Sequence, residues 1–369
     1  MRISIPTIPD SVLSSVLSTP VILPEEAVQR IASFLSSGNV ALLTGAGVSV
    51  DSGIRAYRGK DGRYMNPNYK PILVNESAKG YAFRQRYWLR SFLGYPPVRD
   101  AIPNTSHYAI AALQYTGHIS RLITQNVDGL HTKAIKSLWT PGKIEKRILE
   151  LHGTLHKVSC KHGHVVDRNV FQEWLANSNP RWSEFVDELE RTGQKLRTNP
   201  DGDVAIEGAT YEDFVVPDCP ECLREGNTFT NMHKPHLIFF GESISQEVKE
   251  RSYQDIEIAD RLFVVGTTLA TYSAFRLLKH ALELGKPVLM LNVGPTRADM
   301  ITSAQQTAGV DFRKIEKIEL PSGLVLRDAV RNLMRNGVES DPVLSNLLKS
   351  GINKPPGEGD DDRAPRAAG

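Results

Sequence analysis

Val40-Ala41-Leu42-Leu43-Thr44-Gly45-Ala46-Gly47 is the stretch that decides the fold. Four apolar residues in a row, with no polar alternation, describe a strand buried on both faces, as in a parallel sheet covered by helices. The run ends at once in a threonine and two glycines. Such a strand-to-helix turn lets the backbone approach a phosphate and aim amide groups at it. A tight turn alone would use the same residues. The third glycine, Gly53, comes too late for the GxGxxG pattern of dinucleotide folds.

Upstream, Pro24-Glu25-Glu26 opens a helix, with proline in the first turn and acids at the positive end of the dipole. Ala27, Val28, Ile31, Phe34 and Leu35 fall on one face of it, and Gly38 closes it. Downstream, the pattern of the opening run repeats. Ile119 to Ile123 leads into Thr124-Gln125-Asn126-Val127-Asp128, Leu262 to Val265 into Gly266-Thr267-Thr268, and Val288 to Leu291 into Asn292-Val293-Gly294. Four buried strands, each opening into a polar loop and separated by helical stretches, predict a Rossmann-like open parallel sheet with helices on both faces. Ligands of such sheets bind at the carboxyl ends of the strands, where these loops sit.

The pattern breaks between residues 157 and 236. All three cysteines lie there, together with clustered His and Pro and the loop-like Asn199-Pro200-Asp201-Gly202-Asp203. This segment is expected to be a small inserted zinc-binding module with little core of its own, held by metal. The sheet domain is then residues 24–156 and 237–335. Residues 1–23, rich in Ser and Pro, are expected to be a flexible tail that could carry a targeting signal, although they have only one Arg. Residues 351–369, nearly devoid of apolar side chains, are expected to be disordered.

The bulk numbers exclude several classes. Of 369 residues, 44 are basic and 42 acidic, a balance that offers nucleic acid no basic surface. No apolar run approaches the ~18 to 20 residues of a membrane-spanning helix. Three cysteines do not make a disulfide scaffold, and Cys219-Pro-Glu-Cys222 points to a metal or redox pair in a reducing, intracellular compartment.

Further motifs accompany the first loop. Gly53-Ile54-Arg55-Ala56-Tyr57-Arg58-Gly59 follows directly. Then come Gln125-Asn126-Val127-Asp128-Gly129-Leu130-His131, Leu151-His152-Gly153, and Lys234-Pro235-His236-Leu237-Ile238-Phe239-Phe240-Gly241-Glu242. In this order and number they resemble the sirtuin family. Pro103-Asn104-Thr105-Ser106-His107, Arg84-Gln85-Arg86-Tyr87-Trp88, the Asn199 to Asp203 run and Asn292-Val293-Gly294-Pro295-Thr296-Arg297 are similar to its class II branch, which includes mitochondrial lipoamidase and ADP-ribosyltransferase members.

The resemblance implies an NAD-dependent protein deacylase that cleaves NAD to nicotinamide and moves the acyl group of a modified lysine onto ADP-ribose. Histidine suits the base of such a reaction because it titrates near neutral pH. Of ten histidines, His152 stands in the family's Leu-His-Gly context, while His131 and His156 are expected to be structural. The resemblance further implies that Asp128 holds the nicotinamide amide, Asn126 orders the ribose, and Gln125 touches a ribose hydroxyl. Gly45, Ala46, Gly47, Ser49, Gly53, Ile54, Tyr57, Arg58, Val127, Gly266, Thr267, Thr268, Asn292, Val293 and Gly294 would complete the NAD site. Phe240, Gly241 and Glu242 would wall the cleft for the acylated-lysine substrate. Tyr87 and Arg90, one helical turn apart, resemble the Tyr-x-x-Arg pair that holds a dicarboxylic acyl group, although an exposed cation on an amphipathic helix fits the same spacing.

Two departures stand out. Where the family has Gly-Ile-Pro-Asp, this chain has Gly53-Ile54-Arg55-Ala56, replacing a rigid proline and a carboxylate. The family's zinc site has two Cys-x-x-Cys pairs, whereas here Cys160 has Gly163 three places later, flanked by His162 and His164. Tetrahedral zinc accepts three thiolates and an imidazole, so the expected ligands are Cys160, His162, Cys219 and Cys222, with His164 as the alternative imidazole. A metal-free module is the other reading. The resemblance implies a mitochondrial location, with cytoplasm or nucleus as alternatives. ADP-ribosyl transfer to proteins, or a non-catalytic NAD sensor, would use the same pocket.

Overall fold

In the computed structural model the described residues are 22–57, 80–194, 196, 198–204, 210–227, 232–299, 315–335 and 337–355. The expectations for residues 1–21, for Arg58 and for residues 356–369 concern residues outside them. Strands β1 (Val40–Thr44), β2 (Ile119–Thr124) and β3 (Ile148–Glu150) form one half of a sheet. β4 (Gly153–Ser159), β5 (Val165–Asp167) and β6 (Lys234–Leu237) form a second, antiparallel sheet. β7 (Arg261–Val265), β8 (Val288–Leu291) and β9 (Ile315–Ile318) return to the first. Its order is β3-β2-β1-β7-β8-β9, with every neighbouring pair parallel.

Each predicted strand is there, and the two edge strands β3 and β9 are additional. Alternate residues of the central strands divide between two cores, as the period of 2 requires. Val40, Leu42, Phe263, Val265, Leu289 and Leu291 meet Ile31 and Leu35 of the helix Pro24–Leu35, Ile110 of the helix Thr105–Tyr115, and Val325 and Leu326 of the helix Ser322–Met334. Ala41, Leu43, Leu262, Val264, Val288 and Met290 meet Ile256 of the helix Gln246–Ile258 and Leu277 and Leu278 of the helix Tyr272–Glu283. Most of these side chains are fully buried, each stabilising by ~1.5–3 kcal/mol relative to exposure.

The inserted module differs from expectation in two ways. Its sheet begins at Gly153 and ends at Leu237, slightly outside the expected bounds of 157 and 236. It also has a substantial core. Val158, Phe171, Leu175, Trp182, Val204, Phe214 and Val216 pack against Tyr87, Trp88, Leu89, Phe92 and Leu93 of the helix Tyr81–Asp100. The core was not evident from the segment alone because this helix, far upstream, supplies five of its twelve buried residues.

That helix approaches the module closely. A methyl group on Gly94 would run into the carbonyl of Gly202. Alanine inside a helix ordinarily gains ~0.5–1 kcal/mol over glycine. Overpacking here costs ~1–3 kcal/mol. Gly94→Ala is therefore expected to lower the melting temperature, and thermal unfolding of the two proteins reads the sign directly.

Candidate functional site

The sheet reverses its winding between β1 and β7, and the loops that follow these two strands meet there. A Cβ on Gly45 would lie 2.6 Å from Cβ of Thr267, and one on Gly47 2.8 Å from the Gly266 carbonyl. Gly266 has φ +61° and faces the Val48 amide, 2.6 Å from where its own Cβ would be. The Gly47 amide donates to the Gly266 carbonyl at 2.9 Å. Glycines are needed here first for the approach of the two loops to one another.

The loop after β2 closes over this junction. The Gln125 side-chain amide donates to Thr267 Oγ1 at 2.9 Å and to the Thr44 carbonyl at 3.2 Å, while its oxygen accepts from Thr271 at 3.2 Å. Ser49 is the hub. Its hydroxyl donates to Asp128 Oδ2 at 2.7 Å and accepts from Asn126 Nδ2 at 3.1 Å. Asp128 Oδ1 accepts from the Leu130 amide at 2.9 Å. Burial raises the Asp128 pKa, against the hydrogen bonds from Leu130 and Ser49. Asn292, after β8, turns its side-chain amide onto the carbonyls of Val293 and Gly294, and Val293 is exposed.

His152 follows β3 and is half-buried. Its Nδ1 lies 3.3 Å from the Gln125 carbonyl and its Nε2 2.7 Å from Ser273 Oγ. Burial pushes its pKa down to about 4, helped by the charge of Arg276 and opposed by the Gln125 carbonyl. His131 bonds Thr44 Oγ1 at 3.0 Å and His156 bonds the Asp128 carbonyl at 2.8 Å. The Ile238 amide donates to the His152 carbonyl at 3.0 Å, which brings the Phe239–Glu242 turn beside the histidine. Glu242 folds back on this turn, accepting from the Phe239 amide at 3.0 Å and pairing with Lys234 at 2.5 Å.

In the module, Cys160, Cys219, Cys222 and His164 converge, with ligand atoms all within 4.8 Å of one another. His164 Nδ1 lies 3.4 Å from the sulfurs of Cys160 and Cys222 and 3.6 Å from that of Cys219. The Cys160 and Cys222 sulfurs are 3.5 Å apart.

The family model described as the Sir2 family matches residues 45–273. The chain belongs to that family, the sirtuins. It is 43% identical over 293 residues to a Batrachochytrium dendrobatidis protein named NAD-dependent protein deacylase SIR4, covering 77% of this chain and 91% of that one. It is 35% identical to the bovine NAD-dependent protein lipoamidase sirtuin-4, mitochondrial, covering 76% and 82%. Among solved structures, one described as "Structural Basis for the Mechanism and Regulation of Sir2 Enzymes" matches with TM-score 0.55 and 25% identity, over 84% of this chain and 99% of that one.

Two expectations for this sirtuin need correction. The imidazole that reaches the cysteines is that of His164, not His162. The chain turns back after Cys160, whose amide donates to the His164 carbonyl at 3.1 Å, and Gly163 at φ +88° makes that turn. The set fits zinc: bonds of ~2.3 Å to sulfur and ~2.0 Å to nitrogen put tetrahedral ligand atoms about 3.5–3.8 Å apart. His164 Nε2 also lies 3.1 Å from Glu225 Oε1, so the ring's proton sits there and leaves Nδ1 for metal.

The second correction is to the reading of Arg90 as an exposed cation beside Tyr87. Both are buried. Arg90 pairs with Asp203 at 2.5 Å and donates to the Val204 carbonyl at 2.7 Å, and Tyr87 packs edge-on against Trp88 and Phe239. The guanidinium is already committed to the Asn199–Asp203 turn. Sequence reading also missed Ser273, which no motif marks, and it treated Asp203 as part of a plain loop.

Purified protein should carry about one zinc per chain by elemental analysis. His164→Ala and Cys219→Ser should lose that zinc and melt earlier, because metal binding is folding energy. His162→Ala should retain both. Equal loss from the two histidine variants would overturn the assignment.

Proposed function

We propose that the chain is an NAD-dependent protein-lysine deacylase with His152 as general base. The observation that carries this reading is the position of His152, a neutral imidazole at the carboxyl edge of the sheet, bonded to the Gln125 carbonyl in the same loop as Asn126 and Asp128. When bound, NAD supplies the ribose hydroxyls and the nicotinamide leaving group. The loops of Gly45–Gly53, Ile54, Tyr57 and Arg58, of Gln125–Asp128, of Gly266–Thr268 and of Asn292–Gly294 would hold it.

Within this reading each residue has a physical task. His152, with a pKa near 4, is unprotonated at neutral pH and can take a proton at a ring nitrogen. Asp128 has spare lone pairs beyond those that Ser49 and Leu130 use, and these can accept an amide. Ser49 and Asn126 hold that carboxylate in place. The Phe239–Glu242 turn offers an extended peptide bearing the acylated lysine a backbone to pair with. The bovine relative is named as mitochondrial, and that likeness supports a mitochondrial location for this chain.

His152→Ala or His152→Tyr should leave the melting temperature near that of the parent and cut acyl transfer ~100- to 10,000-fold. Nicotinamide release from NAD with a panel of acyl-lysine peptides, followed by mass spectrometry, measures it; a variant retaining most of the turnover would sink the proposal.

Acyl preference does not rest on Arg90 in this reading. Arg90→Met leaves Asp203 buried without its partner, which typically costs ~3–5 kcal/mol. The variant should melt at lower temperature and lose activity equally on acidic and neutral acyl-lysines. A selective rise in KM for succinyl- or glutaryl-lysine alone would restore Arg90 as an acyl reader.

A further inference from the structure

Ser273 lies in the first turn of the helix Tyr272–Glu283, which follows the Gly266–Thr268 loop. Its hydroxyl is 2.7 Å from His152 Nε2, the shortest contact that ring makes among the described residues. The other ring nitrogen faces the Gln125 carbonyl at 3.3 Å. A carbonyl only accepts, so Nδ1 carries the hydrogen. In the neutral ring Nε2 is then a bare lone pair, and Ser273 must donate to it.

We propose that Ser273 is a positioning residue for His152: its hydroxyl holds the Nε2 lone pair in place until a substrate hydroxyl displaces it. The inference rests on His152 being the base. Three features of the structure carry it. The hydroxyl occupies the point, within hydrogen-bond reach of Nε2, where a group giving up its proton to this base has to sit. Together with the Gln125 carbonyl it fixes both the tautomer and the plane of the ring. It is also held from behind, since the helix begins at Thr271, whose hydroxyl bonds the Gln125 side chain at 3.2 Å. The same glutamine therefore sets both ends of the arrangement, its carbonyl on Nδ1 and its side chain on the turn that presents Ser273.

Ser273 is not a base, because its hydroxyl proton is the one directed at Nε2. It leaves the lone pair free once it rotates away, with no proton transferred. Losing one such hydrogen bond should cost a rate factor of about 2- to 10-fold, well short of the loss expected at His152 itself.

The test uses the full chain without substrate as well as with it. Nitrogen-15 spectra of the labelled histidines should show His152 as a single tautomer with hydrogen on Nδ1. Ser273→Ala should shift its two nitrogens toward a mixture of tautomers and lower kcat about 2- to 10-fold, with the melting temperature held. Ser273→Thr, which keeps the hydroxyl, should restore the single tautomer and the rate. An unchanged tautomer in Ser273→Ala, or a Ser273→Thr variant as impaired as the alanine one, would overturn the proposal. If His152→Ala is fully active, the base assignment has failed. The tautomer measurement needs no turnover and judges Ser273 separately.

Discussion

Two backbone loops, one after β1 and one after β7, approach each other so closely at the centre of the sheet that Gly45, Gly47 and Gly266 have no room for a side chain. Gly45 and Gly47 face Gly266 and Thr267, and Gly266 sits in the left-handed region. The rest of the site is built on this contact. Because the loops touch, Gln125 can span them and bond both Thr44 and Thr267. Because Gln125 is fixed, its carbonyl can orient His152, and its neighbours Asn126 and Asp128 can converge on Ser49. The glycines that suggest a phosphate site in the sequence thus have a prior, intramolecular reason to be there.

A second set of contacts ties the zinc module to this centre. The helix Tyr81–Asp100 belongs to the module's core through Trp88 and Phe92, and to the sheet domain through Tyr95 and Val98, which pack with Ile54, Val127 and Leu130. Arg168 of the module is buried under the rings of Trp88, Tyr95 and Phe171. Burial lowers its pKa to about 10, and ring faces are the surroundings that attract such a cation. The Asn199–Asp203 turn adds another link. Asp203 holds Arg90, and Asp201 hydrogen-bonds Tyr57 of the first cofactor loop. Burial, then the Asp203 charge, push Asp201 up to about 7. Asp201 and Asp203 thereby join a module turn to the loop in which Arg55 and Ala56 replace the family's proline and acid.

What the sequence made legible follows from the range of the forces involved. Strands buried on both faces announce themselves as unbroken apolar runs, so β1, β2, β7 and β8 could be read directly. β3 has only three residues, and β9 reads Ile-Glu-Lys-Ile with two charged residues in its middle, so neither carries that signal. The site loops were legible because several motifs occur together in one order. The fourth metal ligand was not, since His162 and His164 straddle the expected place and only the turn at Gly163 decides between them. The burial of Arg90 was not legible for a related reason. Helical spacing places it on a face with Tyr87, but its partner Asp203 is more than a hundred residues away and belongs to a turn that looked like an ordinary loop.

Three histidines surround the loop after β2, and their hydrogen bonds explain why only one is suited to move a proton. His156 has both nitrogens occupied, Nε2 by the Asp128 carbonyl and Nδ1 by the Tyr95 hydroxyl at 3.4 Å. It braces the loop, and freeing either nitrogen would loosen Asp128. His131 is buried against His107, with ring centres 4.8 Å apart, and burial drives its pKa down to about 3. Its Nε2 bonds Thr44, its Nδ1 has no hydrogen-bond partner among the described residues, and the ring is buried. His152 alone combines a nitrogen tied to an immovable carbonyl with one held by a hydroxyl that can rotate away. A base needs the first to keep its orientation and the second to expose its lone pair. Partners of the ring, more than the residue's depth in the fold, therefore distinguish His131 and His156 from the histidine we propose as base.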